Sequence, residues 1–158
     1  MKSATENDTY SPTKRSRLFI ARSKVHGLGL FAGEDIEWGR RLIEYQGERL
    51  SKKEAKRRQK FYDSVGFTCL MEFSDGRAVD GLVGGNESRF INHSSRPNVG
   101  AIREEKWRIV FYSLDDIVQG EELTFDYGFD PKLNRRPMNV TDEDFTPERR
   151  AKHQTYSL

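Results

Sequence analysis

The chain has 158 residues, about one domain at ~150 residues per domain, which excludes a multidomain assembly. Hydrophobic residues make up 35%, and 27 Lys and Arg against 25 Asp and Glu leave a net charge of +2, so no overall field argues for nucleic acid or an anionic membrane. A single cysteine, Cys69, excludes an intrachain disulfide and a cysteine-rich zinc cluster. No run approaches the ~18–20 apolar residues of a membrane span, so a soluble protein is expected.

Residues 1–17 are polar, rich in Ser and Thr and without periodicity or an apolar signal-peptide core, and they read as a flexible lead-in. Its basic end, Lys14-Arg15-Ser16-Arg17, reads as a solvated charge run, with a nuclear address as the alternative. From Leu18 to Gly128, short apolar runs rich in Ile, Val, Phe and Tyr are punctuated by Gly and Asp, which predicts a mainly β domain. Strands are expected at Leu18–Ala21, Gly29–Ala32, Arg41–Tyr45, Phe67–Phe73, Arg77–Val79 and Trp107–Ser113, with a tight turn at Asp75-Gly76.

Helix is scarce. Ser51 to Tyr62 is the best candidate, with Ser51 as N-cap, Glu54 completing a capping box, and Phe61 and Tyr62 docking its end. It carries Lys52, Lys53, Lys56, Arg57, Arg58 and Lys60 against Glu54, six cations to one acid. That patch reads either as a solvated helix face or as a weak contact for nucleic acid or an acidic partner. Asp80–Asn86 holds three glycines and is expected to be irregular, a helical turn is expected from about Ser88 to Asn92, and Thr146-Pro147-Glu148 opens a further helix. Residues 130–158 read as a C-terminal tail.

Three segments carry candidate chemistry. Lys24 to Phe31 contains His26-Gly27-Leu28-Gly29, where Gly-X-Gly lets backbone approach a ligand, although a plain turn also accounts for it. It lacks the third glycine of a dinucleotide fingerprint. Asn86 to Asn98 contains Asn92-His93, which offers hydrogen bonds to a polar heterocycle or an amino-acid head group, or simply ties down a loop. A Ser94-His93 hydrolase pair fails, because neighbours on an extended segment face opposite ways. The histidines at 26, 93 and 153 show no metal-ligand spacing. Gly120 to Gly128 places Phe125 and Tyr127 on one face if extended, lining a narrow aromatic channel suited to an alkyl-ammonium chain.

In order, Gly-Leu-Gly-Leu-Phe-Ala, Glu44-Tyr45-Gln46-Gly47-Glu48, Arg-Phe-Ile-Asn-His-Ser with Pro97-Asn98, and Gly-Glu-Glu-Leu-Thr-Phe-Asp-Tyr-Gly together resemble the SET-domain protein lysine methyltransferases, over residues 18–129. The resemblance implies several small β-sheets, a pseudoknot in which the Asn-His and Asp-Tyr segments cross, and a few short helices. It implies S-adenosylmethionine as cofactor, held by His26, Gly27, Leu28 and Gly29 with Arg89, Asn92 and His93, and with Tyr62 stacking beside them. Tyr127 matches the catalytic tyrosine, and Phe67, Cys69 and Phe125 belong to the substrate channel. Phe125 matches the position that tunes how many methyl groups fit, and a phenylalanine there implies di- or trimethylation.

The implied substrate is a protein lysine, with a histone tail as the main class. Localisation is then nuclear or chromatin-associated if the chain is eukaryotic or acts on host histones, and cytoplasmic otherwise. The alternative is an inactive binding module of the same fold. Ser95 stands where many relatives have a zinc-binding cysteine, so no zinc lid and no metal are expected; Phe129, Phe145 or Tyr156 are candidates to cover the channel instead. Relatives often place a channel tyrosine near Cys69, and its hydroxyl is missing here.

Overall fold

The structure is a computed structural model and describes residues 16–104 and 107–128. The expected tail, its helix at Thr146-Pro147-Glu148 and the covering residues Phe129, Phe145 and Tyr156 lie outside the described residues, as do residues 1–15. The last two residues of the expected lead-in are anchored: Ser16 is buried, and the Arg17 backbone N–H donates to Glu34 Oε1 at 3.0 Å.

In chain order the elements are β1 (Leu18–Arg22), β2 (Leu28–Ala32), β3 (Arg41–Glu44), β4 (Glu48–Leu50), α1 (Lys52–Val65), β5 (Leu70–Glu72), β6 (Ala78–Asp80), a 3-10 helix (Glu87–Phe90), β7 (Asn92–His93), β8 (Val99–Glu104), β9 (Arg108–Ser113) and β10 (Thr124–Phe125). They form four small sheets among the described residues: β1-β2, β3-β9-β8, β4-β6-β5, and the parallel pair β7-β10. The β9 strand runs Arg-Ile-Val-Phe-Tyr-Ser, and Ile109, Val110 and Phe111 are all buried. Consecutive apolar residues suit a central strand covered on both faces.

Helix α1 starts where expected: Ser51 Oγ accepts the Glu54 N–H at 3.4 Å. The capping box closes only on that side, because the Glu54 carboxylate turns to Arg57 at 2.6 and 2.9 Å and to Arg58 at 3.2 Å. The helix runs three residues past Tyr62 and stops at Gly66, whose φ of 68° is a left-handed conformation that glycine adopts without a Cβ clash. Tyr62 docks as expected, whereas Phe61 stays exposed.

Arg58 lies between Glu48 at 2.8 Å and fully buried Asp80 at 2.7 Å, and Tyr62 donates its hydroxyl to the same Asp80 oxygen at 2.7 Å. Hydrogen bonds to Glu48 and then Asp80 push the Arg58 pKa up. Of the six cations of the expected basic patch, Arg58 is held inward by these acids, Arg57 is exposed but paired with Glu54, and Lys52, Lys53, Lys56 and Lys60 are exposed.

Candidate active site

The site is built where two chain segments cross. β7 and β10 pair in parallel, with Asn92 opposite Thr124 and His93 opposite Phe125. Beyond β7 the chain wraps around β10: Ser94 N–H donates to Phe125 O at 3.1 Å, Asn98 N–H to Thr124 O at 3.2 Å, and Thr124 N–H returns a bond to Asn98 Oδ1 at 2.8 Å. On the other flank, Leu123 N–H donates to Leu30 O at 2.7 Å, so residues 122–127 are enclosed between β2 and the 92–98 loop. This is the crossing that the resemblance implied.

The crossing fixes Tyr127 from both ends. Its backbone N–H donates to His93 Nδ1 at 3.1 Å, and its hydroxyl donates to the Ile91 carbonyl at 2.5 Å. The rings of His93 and Phe125 lie 5.3 and 6.1 Å from that of Tyr127. Burial, then the charge at Cys69, pushes the Tyr127 phenol up to about 12.

Tyr127 lines a cavity of about 370 Å³ together with Phe125, Phe111, Tyr45, Ile91 and Cys69. Phe125 meets Phe111 edge-on at 5.4 Å, and Phe111 meets Tyr45 edge-on at 6.2 Å, so three rings packed edge to face form an apolar wall. Tyr45 donates its hydroxyl to Cys69 O at 2.5 Å, and burial drives its pKa well above the usual phenol range. Burial also raises the Cys69 thiol. The lining also includes the polar side chains Gln59, Asp63, Glu72 and Arg103, and Arg103 Nε donates to the Glu72 carbonyl.

The predicted site residues separate into three groups. Tyr127, Phe125, Cys69 and Arg89 share the cavity. His26, Gly27, Leu28 and Gly29 lie outside it but are tied to the crossing, because Asn92 Nδ2 donates to His26 O at 3.1 Å and Leu28 O at 3.0 Å; His93 joins that side to Tyr127. The Asn92 amide therefore shapes the turn rather than presenting free donors to a ligand.

Tyr62 and Phe67 fall in neither group. The Tyr62 hydroxyl is occupied by Asp80, and Phe67 packs edge-on against the Tyr62 ring at 5.7 Å with 46% of its surface exposed. Both serve the seat of α1. Tyr45, Ile91 and Glu122 belong to the site and had no assigned role there in the sequence; Tyr45 and Glu122 stand inside the matching motifs, while Ile91 acts through a backbone carbonyl that carries no side-chain signal.

A threaded parallel pair that delivers a phenol to an aromatic-walled cavity defines the class of the molecule, a SET-type fold. Residues 27–128 match the SET domain family, and the chain belongs to it. The histone-lysine N-methyltransferase trithorax of Drosophila virilis is 42% identical over 134 residues, covering 82% of this chain and 3% of that protein. Histone-lysine N-methyltransferase 2B of Homo sapiens is 39% identical, covering 80% and 5%. Among solved structures, an active polycomb repressive complex 2 in the stimulated state matches with a TM-score of 0.66 and 35% identity over 80% of this chain and 17% of that one. The Chaetomium thermophilum polycomb repressive complex 2 matches at 0.65 and 35% over 78% and 17%. The chain thus spans only a small share of the length of these relatives.

Proposed function

We propose that the protein is an S-adenosylmethionine-dependent protein-lysine N-methyltransferase acting on a histone tail, and therefore on chromatin in the nucleus. The observation that carries this reading is the Tyr127 phenol, which lines the cavity with its own proton committed to Ile91 O. Its remaining lone pairs can accept an amine N–H and turn the nitrogen lone pair toward the reacting carbon.

A lysine amine must be neutral to react, and deprotonating it at pH 7 costs roughly 4–5 kcal/mol from its ordinary pKa. The apolar wall of Tyr45, Phe111 and Phe125 lowers that cost by disfavouring the ammonium. Tyr127 is not the base: with its pKa near 12, about one phenol in 10⁵ is ionised at pH 7. Its work is aim and electrostatics.

The turn at 26–29 fits the cofactor's chemistry. Val25 and Leu28 expose 55% and 48% of their surfaces beside backbone carbonyls fixed by Asn92, which suits a heterocycle bearing an amino-acid head group. When bound, S-adenosylmethionine supplies an activated methyl carbon. His26, Gly27, Leu28, Gly29, Arg89 and His93 hold it in this reading, with Asn92 acting through the turn that its side chain fixes; Cys69 and Phe125 line the lysine channel, and Tyr127 is the catalytic residue. Phe125 offers no hydroxyl to obstruct a methylated nitrogen, so the product is di- or trimethyl-lysine.

The test is incubation with labelled S-adenosylmethionine and core histones, with the modified residue mapped by mass spectrometry. Transfer to a defined lysine is expected. Cofactor and histone binding without transfer would instead favour an inactive binding module.

A further inference from the structure

The motif Gly120-Glu121-Glu122 ends in a carboxylate that neither the cavity nor the phenol uses. Glu122 Oε2 accepts the Ser23 hydroxyl at 2.9 Å, and Oε1 accepts Asn92 Nδ2–H at 2.8 Å. Both partners then turn to the 23–28 segment. Ser23 Oγ accepts the Val25 N–H at 2.8 Å and the His26 N–H at 3.2 Å, while the two protons of the Asn92 NH₂ group are shared between Glu122 and the carbonyls of His26 and Leu28. The turn also closes directly on the carboxylate, since a Cβ at Gly29 would stand 2.3 Å from Glu122 Oε1.

We propose that Glu122 is a positioning residue that pre-forms the cofactor turn by fixing the orientation of Ser23 and Asn92. This rests on the reading that the turn holds S-adenosylmethionine. A serine hydroxyl has one donor and two acceptor sites, whereas an ionised carboxylate only accepts. Facing Glu122, the Ser23 proton has one destination, and both of its lone pairs are left for Val25 and His26. The same carboxylate obliges Asn92 to present its NH₂ group rather than its oxygen. One charge thereby fixes two rotors, which hold four backbone groups of a turn whose residues 24–28 are all exposed.

Such a segment has little apolar burial to order it, and ordering it in advance spares the ligand that cost. Glutamine is not a neutral replacement. Its NH₂ would face either the Asn92 NH₂ group or the Ser23 oxygen already filled by two backbone donors, so each orientation opposes donors or displaces the turn.

The experiment uses the full chain with E122Q, E122A and S23A. Amide hydrogen exchange in the absence of cofactor is expected to speed up about 10- to 30-fold at Val25 and His26 in both Glu122 variants, with β8 and β9 unchanged. S23A should move the same two amides, and it serves as the test if a Glu122 variant fails to fold. Calorimetry should show cofactor affinity weakened by about 10-fold or more, while kcat at saturating cofactor stays within about threefold. A uniform loss of protection across the domain, or unchanged exchange at Val25 and His26, overturns the proposal. If the exchange responds but the unaltered protein does not bind S-adenosylmethionine, the positioning role stands and the cofactor reading falls.

Discussion

Replacing Tyr127 by Phe removes one oxygen atom and leaves the ring in place, and its two consequences differ in size. The first is structural. Ile91 is 3% exposed, and its carbonyl loses the 2.5 Å donor from Tyr127. An unsatisfied buried acceptor costs ~1–3 kcal/mol, against a total stability of ~5–15 kcal/mol, so the variant stays folded. At roughly 2–4 °C per kcal/mol for a domain of this size, its Tm falls by about 2–12 °C. The second consequence is kinetic. The amine loses the acceptor that aims it, and removing one aligned electrostatic partner from a desolvated site lowers kcat by ~10²–10³. The hydroxyl bonds to Ile91 and not to the 23–28 turn, and the Phe variant keeps its backbone bond to His93, so cofactor affinity is expected to stay within about threefold. Single-turnover transfer at saturating cofactor, read by mass spectrometry, measures the kinetic effect; calorimetry and thermal melting measure the others. Turnover within about fivefold of the unaltered protein, or a rate loss matched by an equal loss of cofactor affinity, would refute the aiming role.

Phe125→Tyr places a hydroxyl in the cavity beside Tyr127 and is expected to slow the second methyl transfer about 10- to 100-fold, stalling the product at monomethyl-lysine; an unchanged product distribution in mass spectrometry speaks against the channel assignment. His93→Ala removes the acceptor of the Tyr127 N–H and should lower kcat about tenfold, whereas His93→Asn, whose Oδ1 can stand in for Nδ1, should keep most of it. Burial, helped at Tyr62 by Asp80, raises Tyr62 and Tyr127 from 10.0 to about 12. Because the folded state then retains protons that the unfolded state has released, stability is full below pH 10 and falls between about pH 10 and 12, by roughly 2–3 kcal/mol per phenol; denaturant melts across that range should show the decline, and a flat profile would contradict it.

Strands with local punctuation were legible in the sequence. β1, β2 and β9 lie within a residue or so of their expected ranges, and α1 begins at its cap. What escaped depends on distant partners. Val99–Glu104 contains Gly and Ala and ends in charge, so it carries little strand signal, yet it pairs with β9 over six residues. The expected strand Phe67–Phe73 shrinks to Leu70–Glu72 because Cys69 O is taken by the Gly81 N–H and the Tyr45 hydroxyl before regular pairing begins. Within the candidate site, the motifs marked Tyr127, Phe125 and Asn92, whereas the aromatic character of Tyr62 suits a ligand and a helix seat equally, and its hydroxyl is on Asp80. Glu122 carries no local signal of its role, since nothing near it in the chain reveals Ser23, 99 positions away.

The enclosure of residues 122–127 between β2 and the 92–98 loop sets an order on assembly. A nascent chain emerging from the ribosome can meet the residues of β1, β2 and α1 early, but the crossing cannot form until the segment through Tyr127 has been synthesised and drawn into place. Contacts so far apart in sequence close slowly. Fragments that stop short of Tyr127 are therefore expected to lack the crossing, and with it the proposed activity.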